Sequence, residues 1–401
     1  MARKMKDSGI EWIGEIPEGW EVLAHKYIMH KEKSICEHYS GEDVISLTLN
    51  GVVKRDLENP SGKMPTTFDG YQFVDPNDLL LCLFDIDVTP RCVGLVKDYG
   101  VTSPAYSRFK IHSGFCNAYY NYLLHFIDDE KVFVHLSKNL RSSLTESDFG
   151  AIKTIVPPKA EQQRIADYLD NRTFEIDTLL SEARSSIEAY KKLKQAVITQ
   201  AVTKGVRGER EMKDSGVEWI GEIPAEWKIQ RFARVAEVKS NLVSPDNYLE
   251  YPQISPENIE KDSGKLLLPC RTVSEVGVIS GNHLFYKGQI LYSKIRPKLN
   301  KVCIAPFDGL CSADMYPIES KNDTRYIVYC ILSNGFLQQV SMITENRVKM
   351  PKVNQVELSK ILVAIPETIA EQKEIADYLD TKCAEINGLI AVSYTHLRAH
   401  E

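Results

Sequence analysis

Met5–Trp20 reads MKDSGIEWIGEIPEGW and Met212–Trp227 reads MKDSGVEWIGEIPAEW, identical at thirteen of sixteen positions with an offset of 207. A second pair follows in the same order. Ala160–Asp170 is AEQQRIADYLD and Ala370–Asp380 is AEQKEIADYLD, identical at nine of eleven positions with an offset of 210. Two blocks recurring in order at nearly constant separation mark a tandem duplication. The period is far too long for a solenoid, so the chain holds two copies of one domain-sized unit. Its 401 residues also exceed what a single core supports.

The stretches between the blocks have diverged. The first copy carries DLLLCLFDIDVTPRCVGLVKDYGVTSPAYSRFKI (Asp78–Ile111) and the second GQILYSKIRPKLNKVCIAPFDGLCSADMYPI (Gly288–Ile318). Both follow one grammar: a turn, an apolar strand, a polar loop, then another apolar strand. Short β-branched and aromatic runs such as Asp43–Leu49, Leu79–Phe84, Cys92–Lys97, Gln289–Ser293 and Lys301–Ala305 are bounded by Gly, Pro, Asn and Asp. They predict the short strands of a mixed α/β (α+β) domain.

From Glu161 to Ala201 there is neither Pro nor Gly, and apolar residues recur at heptad spacing. One seam holds Leu169, Ile176, Ala183, Tyr190 and Val197, with Ile165, Leu179 and Leu193 beside it and Leu180 and Ile187 widening the stripe. Pro157-Pro158 precedes the run and Gly205 and Gly208 follow it. As one helix it is about 60 Å long and cannot bury its stripe alone. The second copy opens at Glu371 with Ile375, Leu379, Ile386 and Ile390 at matching spacing, so the two helices are expected to pair antiparallel as a coiled-coil spacer. The expected organisation is a domain over 1–157, a long helix and linker over 158–211, a second domain over 212–367 and a shorter helix over 368–392. The end, SYTHLRAHE (Ser393–Glu401), matches nothing in the first copy and is expected to be a non-native tail.

Composition narrows the class. Hydrophobic content of 43% with 26% charged residues is that of an ordinary globular protein. No stretch reaches the roughly 20 apolar residues of a membrane span, and the start leads into no signal core, so a cytoplasmic location is expected. Nine cysteines, an odd count without CxxC pairs, read as buried reduced thiols rather than a disulfide framework or zinc site. The net charge of −6 does not advertise nucleic-acid binding, so local charge distribution has to decide.

These elements resemble, over residues 5 to about 392, the specificity (S) subunit of Type I restriction–modification systems. The resemblance rests on the block ending in Trp20 or Trp227, the Pro-then-AEQxxIADYLD block, and the IRPKLNKVCIAPFDG and VTSPAY stretches. It implies two target-recognition domains reading a split double-stranded DNA target, two methyltransferase (M) subunits and motor-nuclease restriction (R) subunits as partners, and no catalysis by this chain. It further implies no cofactor on this subunit, with S-adenosylmethionine, ATP and Mg on the partners. Half-sites one helical turn apart lie about 34–36 Å from each other, within reach of such a spacer.

Candidate DNA contacts follow from local charge. Lys287, Lys294, Arg296, Lys298 and Lys301 form a run without an acidic residue, interleaved with Tyr292 and Pro297. Lysines there would neutralise phosphates, and the planar Arg296 guanidinium could take guanine O6/N7. Arg347 and Lys349, with Lys352, form a weaker cluster. In the first copy Thr89, Arg91, Ser107 and Arg108 sit on polar turns, Tyr71 and Tyr106 are aromatic candidates, and Arg141 matches the place of Arg347. The four tryptophans read as core anchors. Two rival classes remain, an enzyme (nuclease or methyltransferase) and a protein-interaction scaffold. A nuclease could be sought in Asp308 with Glu319-Ser320-Lys321, a loose pattern that arises by chance. A methyltransferase would need a glycine-rich cofactor loop and an Asn/Asp-Pro-Pro-aromatic block, and Pro157-Pro158 lacks the amide or carboxylate. A protein-interaction scaffold built on the paired helices would bind DNA weakly and without sequence preference.

Overall fold

The computed structural model describes residues 3–60, 65–89, 91–137, 142–347 and 351–400. The chain divides into two compact units, one running to Asp177 and the other starting at Thr178. Each is built to the same plan.

Each unit opens on an antiparallel hairpin, Met5–Asp7 with Glu15–Pro17 and Met212–Asp214 with Glu222–Pro224. The turn is locally encoded. Asp7 and Asp214 each accept the N–H of the glycine two residues on at 2.9 Å, and those glycines, Gly9 and Gly216, have φ of 68° and 69°. Only glycine takes this conformation without strain. A two-stranded ladder then ties the start of each domain to the segment just before the long helix: Glu21–Ala24 with Lys153–Val156, and Lys228–Arg231 with Leu362–Ile365.

Two four-stranded sheets follow in each unit. In the first, an antiparallel sheet runs Met29–Lys31, Ser107–Ile111, Leu79–Leu81, Val93–Leu95; in the second, Ala236–Val238, Met315–Ser320, Ile290–Ser293, Val302–Ile304. The other sheet is mixed in both units. Gly100–Thr102 lies between Val44–Thr48, parallel, and Gln72–Val74, antiparallel; Gly309–Cys311 lies likewise between Gln253–Ile254 and Asn282–Phe285. The fourth strand differs. Gly51–Lys54 adds beside Val44–Thr48 in the first unit, whereas Leu242–Val243 adds beside Asn282–Phe285, on the opposite edge, in the second.

The long helices are Lys159–Lys204 and Ile369–His400. The first turn of each receives its domain through the same side chains. Trp20 Nε1 donates to Glu161 at 3.1 Å and Arg3 pairs with the same carboxylate. Trp227 Nε1 donates to Glu371 at 3.3 Å and Arg210 reaches it at 2.8 Å. Gln162 accepts the Cys116 N–H at 2.9 Å as Gln372 accepts that of Asp323 at 3.0 Å. Tyr122 donates to Asp170 and Tyr329 to Asp380, both at 2.7 Å. Trp227 is completely buried and Trp20 half-buried, as core anchors should be.

Within the second unit the part of the first long helix beyond Asp177 packs on the second long helix. Ile198, Ala201 and Val202 share a core with Ile375, Leu379 and Cys383. Lys191 lies beside Tyr394, Lys194 donates to Asn387 at 3.1 Å, and Arg207, just past the helix end, bonds Glu374 at 2.8 Å. Rising numbers on one element meet falling numbers on the other, so the pair is antiparallel. Two expectations are corrected. The buried line runs through Ile187, Lys194 and Ala201 with Ile198 and Val202, one face around from Tyr190 and Val197, while Ile176, Leu179 and Leu193 are exposed. Lys194 occupies an apolar position because its stem packs and its ammonium finds Asn387, a compromise invisible to a hydrophobic count. The second helix, moreover, continues past Val392 to His400, since nothing after Gly388 breaks it and Ser393 and Thr395 bond back to Leu389 and Ala391.

The core of the first unit contains one group that should make it acid-sensitive. His25 is buried, with its ring 4.6 Å from that of Phe149, and burial outweighs its approach to the Phe149 backbone, lowering its pKa from 6.5 to about 4. The equivalent residue of the second unit is Phe232. As pH falls below 6.5 the unfolded chain takes a proton that the folded chain refuses until about pH 4. Stability is therefore lost through this window, by up to about 3 kcal/mol. His25→Phe should flatten that slope in urea titrations between these pH values while leaving the neutral fold intact. The helix seats make a second, asymmetric prediction. The Glu371 side chain is 5% exposed and its partner Arg210 13%, so Glu371→Ala should cost about 3 kcal/mol in denaturant unfolding. Glu161 faces the 59% exposed Arg3, and Glu161→Ala should cost only about 1 kcal/mol.

Candidate nucleic-acid interface

In the second unit the expected basic run leaves the strand Ile290–Ser293 and turns back into Val302–Ile304. The turn is rigid. Arg296 and Asn300 both adopt left-handed backbone, with φ of 45° and 42°, on either side of a single helical turn at Pro297–Leu299. Left-handed backbone is disfavoured for any side chain, and the residue before a proline is further restricted, so the surroundings must hold Arg296 in place. They do so through the backbone. The Arg296 N–H donates to Pro351 O at 2.9 Å and the Val353 N–H to Lys294 O at 2.9 Å. Lys352 closes the clamp by bonding Asp314 at 3.0 Å.

The cations of this run separate by use. Arg296 and Lys298 are exposed, and among the described residues neither side chain has a hydrogen-bond or ion-pair partner. Lys287 is exposed on the preceding turn, where its backbone N–H donates to Asp308 at 2.7 Å. Lys294 is half-buried with its ammonium 5.1 Å from the centre of the Tyr316 ring. Lys301 is half-buried and its ammonium donates to Pro256 O at 2.7 Å, so it holds the loop rather than offering a free charge. Arg347 grips Glu357 and the Lys352 carbonyl. Lys349 and Arg141 lie outside the described residues. Asp308 and Glu319, the loose nuclease pattern, are otherwise engaged: Asp308 caps the Lys287 turn and Glu319 faces Lys239 at 3.7 Å. Among the described residues no three His, Cys, Asp or Glu side chains are grouped to hold a metal, and eight of the nine unpaired cysteines are buried.

The first unit corrects the reading of its arginines. Arg108 is 2% exposed and spends its guanidinium inside the domain, on Asp78 at 2.5 Å, Asp75 at 2.6 Å and Phe73 O at 2.9 Å. It cannot contact DNA. Its position on the strand Ser107–Ile111 points inward between the two sheets, where a buried carboxylate, not solvent, receives it. Burial dominates at Asp78, raising its pKa despite that arginine. Arg91 is turned onto Asp129 and His125, both at 3.1 Å, and the Thr89 hydroxyl donates to Asp85 O at 2.8 Å. The Asp314–Lys352 clamp and the helix-seat carboxylates were not singled out from sequence. The latter carried a signal, since Glu161, Gln162 and Asp170 are each repeated in the second copy.

With this geometry in hand, comparison with known proteins is direct. Residues 224–390 match the Type I restriction modification DNA specificity domain. The chain is 35% identical over 269 residues to the Type I restriction enzyme EcoDI specificity subunit of Escherichia coli, covering 62% of this chain and 60% of that protein. The chain thus spans about 60% of that relative's length. A structure solved to explain complex assembly and conformational transition of the type I R-M system aligns over 96% of this chain and 95% of its own, with a TM-score of 0.66 at 12% identity. The HsdS subunit of Thermoanaerobacter tengcongensis aligns over the same shares with a TM-score of 0.52 at 13% identity. At such identities the structures share the fold. This chain's duplicated mixed α/β domains and long helices are the fold that aligns with those structures. The likeness to Type I restriction specificity proteins is thus carried by residues 224–390 and by the 269 residues aligned with the EcoDI specificity subunit.

The buried arginine generates a test. Arg108→Met should lower the stability of the first unit by about 3–5 kcal/mol, because the buried Asp78 loses the cation that offsets its burial. Denaturant unfolding checks this.

Proposed function

We propose that this chain reads a split double-stranded DNA target as the non-catalytic specificity subunit of a Type I restriction–modification complex in the cytoplasm. On this reading residues 1–157 and 212–367 are the two readers, and 158–211 with 368–392 form the spacer between them. The chain recruits two methyltransferase subunits and, through them, restriction subunits. It binds no cofactor itself; S-adenosylmethionine, ATP and Mg belong to the partners. The observation that carries the reading is the duplication: one helix seat and one sheet framework occur twice, with different loop chemistry at the same place.

Lys287, Lys294, Arg296 and Lys298 form the contact surface of the second reader. Lysines are point charges suited to phosphates, whereas the planar guanidinium of Arg296, carried on a clamped backbone, suits the two acceptors of guanine. Methylation profiling of DNA from cells expressing this chain with its cognate methyltransferase subunit tests the function; a modified motif in two fixed halves is expected. In that complex Arg296→Ala should cost about 1–3 kcal/mol on the cognate site and relax one position of one half. Lys298→Ala should weaken all sequences alike and reduce the salt slope by about one.

A further inference from the structure

The first unit has a loop at the matching place, between Leu79–Leu81 and Val93–Leu95, and its chemistry is the reverse. It too is firmly held. The Leu144 N–H donates to Leu83 O at 2.8 Å, the Ile86 N–H to Ser142 O at 3.1 Å, and the Thr89 N–H to Asp85 O at 2.9 Å. Ile86 is buried beneath it, and Asp85 takes left-handed backbone with φ of 47°. What remains outside is Phe84, 41% exposed, Val88, 74% exposed, and the carboxylates of Asp85 and Asp87. Arg91, the cation next along the chain, is turned onto Asp129.

Such a knuckle cannot rest on phosphates, which would repel it. It can meet base edges. A carboxylate accepts from the cytosine N4 amine, and exposed apolar side chains meet the thymine methyl. Nor is its order accidental: an exposed valine and phenylalanine on a pinned turn keep their shape without a partner, as a reading element must. Resting on the function proposed above, we infer that the two units read chemically opposite edges. The loop Phe84–Val88 reads cytosine and thymine in one half-site by acceptors and apolar contact, while the Arg296 loop reads guanine in the other by donors.

The test is the modified motif in cells expressing this chain with its methyltransferase subunit, compared for Asp87→Asn, Val88→Ala, Val88→Thr and Arg296→Ala. Asp87→Asn should relax a cytosine, and either Val88 variant a thymine, in the half that Arg296→Ala leaves unchanged. Discrimination at the affected position should fall roughly tenfold. Val88→Thr preserves shape, so a change shared by both Val88 variants with unaltered melting cannot come from misfolding. If the first three variants keep the full motif while Arg296→Ala relaxes its half, this inference is overturned and the split-target function stands. If they instead lose co-purification with the methyltransferase subunit at unchanged motif, the knuckle is a protein contact and the inference is again wrong. Should the unmodified chain support methylation of no two-part motif, the function itself fails and the inference with it.

Discussion

A carboxylate in the first turn of each long helix, Glu161 in one unit and Glu371 in the other, is the joint on which both domains depend. Each accepts from an indole of the opening block and an arginine just before it. The first turn of a helix has unpaired N–H groups and the positive end of its dipole, so an acidic residue there is favoured before any domain arrives. Adding a buried Trp N–H makes the choice nearly exclusive, because a neutral side chain would leave donors without acceptors. This explains why the two most similar stretches of the copies lie more than a hundred residues apart in sequence: they are the two sides of one contact.

With the seat held constant, the rest of the domain is free to change in a graded way. The ladder beside the helix and the antiparallel sheet keep their pairings in both units, and so does the central parallel pair of the mixed sheet. Divergence begins at the edges. The fourth strand of the mixed sheet has switched sides, a change that disturbs no central hydrogen bond because an edge strand is bonded on one side only. It culminates in the loops that join a central strand of the antiparallel sheet to its edge strand. Both are clamped by backbone hydrogen bonds to the segment preceding the ladder strand, so their side chains can be exchanged while the loop stays fixed.

How much of this was legible in the sequence follows from what each signal depends on. The duplication and the short strands depend on local composition, and they were readable. The helix pair was readable as a period, but the face it buries was not: Lys194 lies inside and Leu193 outside because a domain and a partner helix cover one side. Arg108 misled for a related reason. Beside polar residues it reads as a surface cation, and only the sheet register brings Asp75 and Asp78 to meet it. Charge in a sequence is a property of residues; availability of charge is a property of the fold.

That distinction also resolves the acidic balance of a chain proposed to bind DNA. With a net charge of −6, binding cannot come from bulk attraction. The framework moreover consumes cations internally, on helix seats, sheet cores and loop clamps. Among the described residues Arg296 and Lys298 stay free on the second unit's loop, whereas on the first unit's matching one Arg91 is turned onto Asp129. A loop with few free cations makes few non-specific phosphate contacts, and its reading then rests more heavily on correctly matched base edges. Such an economy requires the reading side chains to be in position beforehand, since few contacts leave little energy for ordering a mobile loop. Left-handed backbone at Arg296, Asn300 and Asp85 is the local cost of that preparation, sustained by the hydrogen bonds that pin each loop to its domain.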